Sequence, residues 1–166
     1  ENGSHNKSVF ILAGIGLFEG VIFSIILWTH FQVFGYLQYI LCTFVIIFLI
    51  GAKDDLLPLT PYKKMIGQTF AAFILVFKAN IRITSLYGIF GITLLPEWIS
   101  ILLSLFTILV IINAFNLLDG IDGFCASVRI LICITLGFWF KMTDQIVLCI
   151  IASALLGSLM AFLKFN

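Results

Sequence analysis

Charge is scarce in this chain. Of its 166 residues only 10% are Asp, Glu, Lys or Arg, against about 25% in a typical soluble domain. Such a chain has no polar skin with which to cover itself. It is 62% hydrophobic, where globular domains carry about 45–50%, and its mean hydropathy is +1.21. A soluble globular fold is excluded, and an integral membrane protein is expected. Runs of basic residues are also missing. Nine Lys and Arg against eight Asp and Glu leave a net charge of +1, which gives no footing for a nucleic-acid partner. Cys42, Cys125, Cys133 and Cys149 stand apart in apolar stretches without a Cys-x-x-Cys or Cys/His cluster. That spacing argues against zinc ligation or a disulfide framework and reads as small buried hydrophobes. The first apolar stretch is expected to be a span and not a signal-peptide core, because it runs about twenty residues and lacks a small-residue cleavage site.

What the chain does have is apolar length. A helix needs about 20 apolar residues to cross the hydrocarbon, and six candidates meet or approach that length: 9–29, 34–51, 65–79, 98–117, 124–140 and 145–163. The expected fold is therefore an all-α integral membrane protein of about six transmembrane helices. Between the third and fourth spans lies "IRITSLYGIFGITLLPEW", where β-branched and aromatic residues alternate around Gly88 and Gly91. This predicts a small extracytoplasmic hairpin or an interfacial segment, with Trp98 as an interface anchor. The chain opens without Met and stops straight after an apolar run, at "FLKFN". Residues 1–166 are expected to be a single transmembrane domain, a carboxy-terminally truncated piece of something longer.

Lys and Arg set the orientation. With a cytoplasmic amino terminus, the inner side holds Lys7, Lys53, Lys63, Lys64, Arg129 and Lys164, and the outer side Lys78, Arg82 and Lys141. That bias places two polar segments, 51–68 and 113–123, on the same cytoplasmic face. In the first, "GAKDDLLPLTPYKKMIGQ", Asp54 and Asp55 stand where the second helix leaves the membrane, and Lys63, Lys64 and Gln68 open the third. The second, "NAFNLLDGIDG", ends the fourth helix with Asn113, Asn116, Asp119 and Asp122.

In this orientation both helices point their partly negative C-terminal ends at one place. Four carboxylates gathered there repel one another unless a cation holds them, and oxygen-only ligands select Mg²⁺ or Mn²⁺ over zinc. Lys53 and Lys64 supply positive charge or grip a phosphate. Asn116 and Asp119, at i and i+3, share one helix face. Gly120 and Gly123 let the backbone turn and a substrate approach. A metal-assisted phosphate site at the membrane surface is the expected chemistry. Plainer roles exist for several of these groups: Asn113 reads equally as a helix–helix hydrogen bonder, Lys63 as a snorkelling interface residue, and Glu19 as a functional intramembrane acid or a neutral hydrogen bonder.

These two segments resemble the acidic motifs of the polyprenyl-phosphate N-acetylhexosamine-1-phosphate transferases. The second follows the family's N-x-x-N-x-x-D-G-x-D-G, and the first supports it at the expected spacing, with Lys64 four residues before Gln68. The opening "SHNKSVFILAGIG" resembles a worn S-H-x-K-P-x-P-x-x-G-G motif: His5, Lys7 and Gly14 align, while Ser8 and Phe10 stand in place of prolines.

The resemblance implies a bacterial inner-membrane enzyme with its active site on the cytoplasmic face. Such an enzyme transfers N-acetylhexosamine-1-phosphate from a UDP-N-acetylhexosamine to polyprenyl (undecaprenyl) phosphate with release of UMP, opening cell-envelope polysaccharide synthesis. It implies Mg²⁺ held by Asn116, with a second ligand supplied by an Asp downstream of Asn166. Asp54 would be base for the lipid phosphate or part of its site, with Asp55 beside it. Asp119 and Asp122 would lie at the nucleotide end, Asp122 near the uracil. Lys64 would hold phosphate, and Asn113, His5 and Lys7 would line the substrate. A homodimer is compatible with all of this. Family members continue with a G-D-x-G-type loop and a later basic loop, so residues 1–166 alone are expected to be inactive.

Three other readings compete. A CDP-alcohol phosphotransferase needs D-G-x-x-A-R, where this chain has Asp119-Gly120-Ile121-Asp122-Gly123-Phe124. A cation-coupled transporter needs acids near the midplane, in broken helices. An inactive remnant of the transferase fold is the third. The topology itself is testable by thiol labelling: single cysteines at Thr60 and Gly123 should react only with reagent that enters the cytoplasm, and one at Thr84 from outside. Opposite labelling of Thr60 and Gly123 would end the shared-site arrangement.

Overall fold

The computed structural model describes residues 2–29, 34–118 and 124–165, and the side chains of 14–29, 35, 37–89, 91–117 and 126–161. Six α-helices follow one another: α1 (Asn2–Trp28), α2 (Phe34–Leu56), α3 (Pro61–Phe73), α4 (Glu97–Leu118), α5 (Phe124–Met142) and α6 (Ile146–Phe165). Among the described residues there is no β-strand. Among the described residues two helical stretches are long and apolar enough to cross a membrane, Leu37–Leu56 and Glu97–Leu117; Gly14–Trp28 and Ile146–Ala161 are apolar but shorter. The chain divides into two compact units, one of α1, α5 and α6, the other Gly35–Leu117 with α2, α3 and α4.

In the first unit α6 packs on both α5 and α1. Small residues make these approaches close: a Cβ on Gly137 of α5 would sit 3.6 Å from that of Ala152, and one on Gly20 of α1 would sit 3.7 Å from Ser158 Oγ. Close crossing at small residues is how apolar helices associate where lipid is as greasy as the side chains. Val21, Ile25, Ile151, Ala152 and Leu159 form the buried core. A tight turn at 143–145 joins α5 to α6, with Asp144 at φ 55° and Gln145 N–H donating to Phe140 O at 2.9 Å. Glu19 is exposed on α1. That helix begins at Asn2, so His5 and Lys7 belong to its first turns, not to a loop before the span.

In the second unit α3 is the short, central piece. Pro61 opens it, where a missing N–H costs nothing. Gly67 faces Ile50 of α2 so closely that a Cβ would run into the Ile50 side chain. Ala71, Ala72 and Val76 below it are fully buried. The helix then widens into a π turn, Ile74–Lys78, and Asn80 at φ 53° turns the chain out. The third helical segment thus starts four residues earlier than the apolar run that begins at 65, because Pro61 and the Lys63–Lys64 turn are already helical.

Residues 79–96 fold back on themselves through a single antiparallel bridge, Ser85 to Leu94, with Leu86 N–H donating to Thr93 O at 3.2 Å and Leu95 N–H to Thr84 O at 3.0 Å. Gly88 and Gly91 take φ 88° and 74°, conformations that favour glycine. The base of this loop is tied to α4 by two buried serines one turn apart. Ser100 Oγ donates to Ile83 O at 2.7 Å, Ile83 N–H donates to Ser104 Oγ at 2.8 Å, and Ser104 Oγ donates to Ser100 O at 2.6 Å. Arg82 pairs with Glu97 at 3.2 Å beside them. Ser104→Ala would leave the Ile83 N–H buried without an acceptor, an omission worth about 1–3 kcal/mol. SDS titration in mixed micelles should show that loss, and Ser104→Thr, which keeps the hydroxyl, should recover most of it.

Candidate active site

The last turn of α2 carries Asp54 and Asp55 into the turn that leads to α3. Asp54 is held from two directions. Its Oδ1 accepts the Leu59 N–H at 2.8 Å, which closes the α2–α3 turn, and its Oδ2 meets Lys64 Nζ at 2.9 Å. The pair is about a quarter exposed on both sides, 26% for Lys64 and 27% for Asp54. It is neither a free surface contact nor a sealed core bridge. The side chain of Asp55, the next residue, is exposed and makes no hydrogen bond or ion pair with other described residues. One carboxylate of the doublet is therefore built into the turn, and its neighbour stands open.

One turn along α3 from Lys64 is Gln68, a buried amide only 2% exposed. Its Oε1 accepts from Asn113 Nδ2 of α4 at 3.3 Å, while the same Nδ2 donates to Leu109 O of its own helix at 2.8 Å. Lys64 and Gln68, at i and i+4, share one face of α3. One reaches the end of α2 and the other the last turns of α4. The carboxylates of the first segment and the amides of the second are thereby gathered around the first half of α3. Asn116 follows Asn113 by three residues and is exposed. Asp119 and Asp122, with Gly120 and Gly123, lie outside the described residues, as do the side chains of His5 and Lys7.

Electrostatically the α2–α3 turn gathers two carboxylates, Asp54 and Asp55, with three lysines, Lys53, Lys63 and Lys64. Of these, Asp54 at the carbonyl end of α2 meets Lys64, and α4 also ends in a partly negative turn. Among the described residues no three His, Cys, Asp or Glu side chains gather as a metal cluster. The donors that are present, the Asn116 amide oxygen and the Asp55 carboxylate, are exposed hard oxygens. They suit a Mg²⁺ that keeps most of its waters and takes one or two protein oxygens beside substrate phosphate. Lys64 offers a phosphate three donors on a flexible stem once it lets go of Asp54.

Gln68 is the residue whose role the sequence did not disclose. It reads there as one polar group opening a span. Its spacing of four from Lys64 was the available signal, and only the hydrogen bond from Asn113 of α4 shows what it holds.

With this geometry in hand, the class of protein follows. The chain belongs to glycosyl transferase family 4, whose profile matches residues 37–166. Within that class it is 25% identical to the undecaprenyl-phosphate alpha-N-acetylglucosaminyl 1-phosphate transferase of Yersinia pestis, over 98% of this chain and 44% of that protein. It is 26% identical to the protein of the same description from Escherichia coli O157:H7, with the same coverage. Against the phospho-N-acetylmuramoyl-pentapeptide-transferase of Streptococcus agalactiae serotype Ia it is 32% identical, over 96% of this chain and 50% of that protein. The chain thus spans about half the length of the curated relatives it matches. No solved structure matches it.

The α3–α4 link is open to direct measurement. In a background free of other cysteines, Gln68→Cys and Asn113→Cys should be joined in high yield by a short bis-methanethiosulfonate reagent in native membranes. Lys63→Cys with Asn113→Cys, displaced around α3, should remain unjoined. The reverse pattern would rule out the shared face.

Proposed function

We propose that this chain forms part of an enzyme that transfers N-acetylhexosamine-1-phosphate from a UDP-N-acetylhexosamine to polyprenyl phosphate, at the cytoplasmic face of a bacterial inner membrane. The observation that carries the proposal is the pairing of Lys64 with Asp54 and of Gln68 with Asn113 along one face of α3, which draws both motif segments together. Membership in the family and the activities for which the relatives are named support the same reaction class. In the proposed topology the chain is one membrane domain of six spans with a cytoplasmic amino terminus. The 79–96 loop then faces outward, and the α2–α3 turn and the end of α4 face the cytoplasm.

In the proposed reaction a phosphate oxygen of the lipid attacks the β-phosphorus of the UDP-sugar. A new P–O bond forms, the bond from that phosphorus to the bridging oxygen breaks, and UMP leaves with the electron pair. Catalysis of such a transfer is mainly positioning and neutralisation of charge. Lys64 exchanges Asp54 for a substrate phosphate oxygen. Asp54, with Asp55 beside it, serves the lipid phosphate. Asn113, tied to Gln68, sets the register of the last turns of α4. Asp119 and Asp122 are assigned to the nucleotide end, and His5 and Lys7 to the substrate's surroundings. Mg²⁺, or Mn²⁺, held through Asn116, would neutralise charge on the diphosphate when bound.

The test is UMP release by membranes carrying the full-length protein. Asn116→Ala should lower the rate about 10²–10³-fold, the usual loss for one electrostatic stabiliser, and shift the Mg²⁺ dependence to higher concentration. Asp54→Asn should abolish turnover and leave nucleotide binding nearly intact. Lys64→Ala should act chiefly through KM for one of the two substrates. Near-normal turnover by Asp54→Asn would overturn its assignment.

A further inference from the structure

The loop at 79–96 has an unusual surface. From Ile83 to Pro96 fourteen residues pass without a charge. Tyr87 is 94% exposed and Leu94 76% exposed, with Ile89 and Ile92 also exposed beside them and Trp98 exposed at the start of α4. A loop standing in water does not normally present such a set.

Its position along α4 explains why it can. The apolar stretch Glu97–Leu117 is 21 residues, about 31 Å at 1.5 Å per residue, which matches a hydrocarbon thickness of about 30 Å. Ser100 and Ser104 lie three and seven residues below its start, so about 5 and 10 Å along the helix. Ile83 is bonded to both. The non-helical backbone at Ile83 therefore runs alongside the first two turns of α4, within the interfacial zone of the leaflet, where Thr84 beside it still meets water. Non-helical backbone is tolerated at that depth only where protein satisfies its polar groups. Here the N–H goes to Ser104 and the C=O to Ser100, both buried. The Arg82–Glu97 pair closes the base of the loop with its flanking charges.

We infer that the 79–96 loop is a re-entrant interfacial wedge whose Tyr87, Ile89, Ile92 and Leu94 side chains lie in the acyl–headgroup boundary of the bilayer leaflet into which α4 begins. The occupant of its apolar surface is lipid. Its continuity with the lipid-facing start of α4, where Trp98 lies, argues for lipid over a protein partner, as does the serine latch that fixes its depth. The inference rests on the proposed membrane-spanning reading, and the experiment separates the two. Nitroxide labels are placed one at a time at Leu94→Cys, Ile89→Cys and, as a mid-span reference, Phe106→Cys. The host is the cysteine-free full-length protein in phosphatidylethanolamine/phosphatidylglycerol vesicles. Collisions with oxygen, which concentrates in lipid, are compared with collisions with Ni-EDDA, which stays in water.

The loop labels should favour oxygen severalfold and read shallower than Phe106. Adding Ser100→Ala with Ser104→Ala should release the wedge and raise Ni-EDDA collisions at Leu94 severalfold. Loop labels that favour Ni-EDDA beside a lipid-like Phe106 overturn the wedge alone. Loop labels shielded from both reagents, the signature of a protein partner or a second copy, overturn it too. A water-like Phe106 label overturns the spanning reading and the wedge together.

Discussion

Every backbone N–H and C=O that leaves water must find a partner inside the protein, and the architecture answers to that requirement before any other. Helices satisfy it internally, which is why the described chain is helical almost wherever it is apolar. Several hydroxyls obey the same rule: Ser24, Thr43, Thr107 and Ser153 each bond a carbonyl four residues back in their own helix. Where the chain departs from helix, a side chain stands in for the missing ladder. Ser100 and Ser104 do so for Ile83, and Asp54 does so for Leu59 in the α2–α3 turn. The second case ties architecture to chemistry, since one carboxylate both closes a turn and receives Lys64.

The candidate site is thus assembled at the ends of helices, where backbone carbonyls and carboxylates concentrate negative charge and α3 introduces the cation. A quarter-exposed ion pair in such a place contributes little net stability, on the order of 1 kcal/mol or less, so its partners can be exchanged. That is a useful property for the phosphate handling proposed for this site. The Gln68–Asn113 contact is different in kind: a buried amide that found no partner would cost more than the contact returns. Gln68 therefore acts as a register pin between α3 and α4, and its value lies in where it puts Asn113 and Asn116.

The relatives differ in what their names say they transfer, N-acetylglucosaminyl 1-phosphate in some and phospho-N-acetylmuramoyl-pentapeptide in another. The chain matches both kinds. In the proposed mechanism the α2–α3 turn and the last turns of α4 handle the phosphates, whichever sugar they carry. The choice of sugar has no residue assigned to it in residues 1–166.

Composition by itself determined that this chain is helical and apolar, because 62% hydrophobic residues with 10% charge admit little else. The spacing of Asn113, Asn116, Asp119 and Asp122, with the Asp54–Asp55 doublet, carried the resemblance to the transferase family, and the family profile over residues 37–166 agrees with it. Helix boundaries were less legible. The apolar run marks where a helix is greasy, not where it starts, so α3 begins at Pro61 and α1 at Asn2. Pairing was legible only as far as the spacing of four that puts Lys64 and Gln68 on one face of α3. That Lys64 takes Asp54 and Gln68 takes Asn113, and that two serines hold Ile83, are decisions of tertiary structure. They depend on which face of α4 is turned toward which neighbour, and its nearly uniform apolar surface gives no periodic stripe from which to read that rotation.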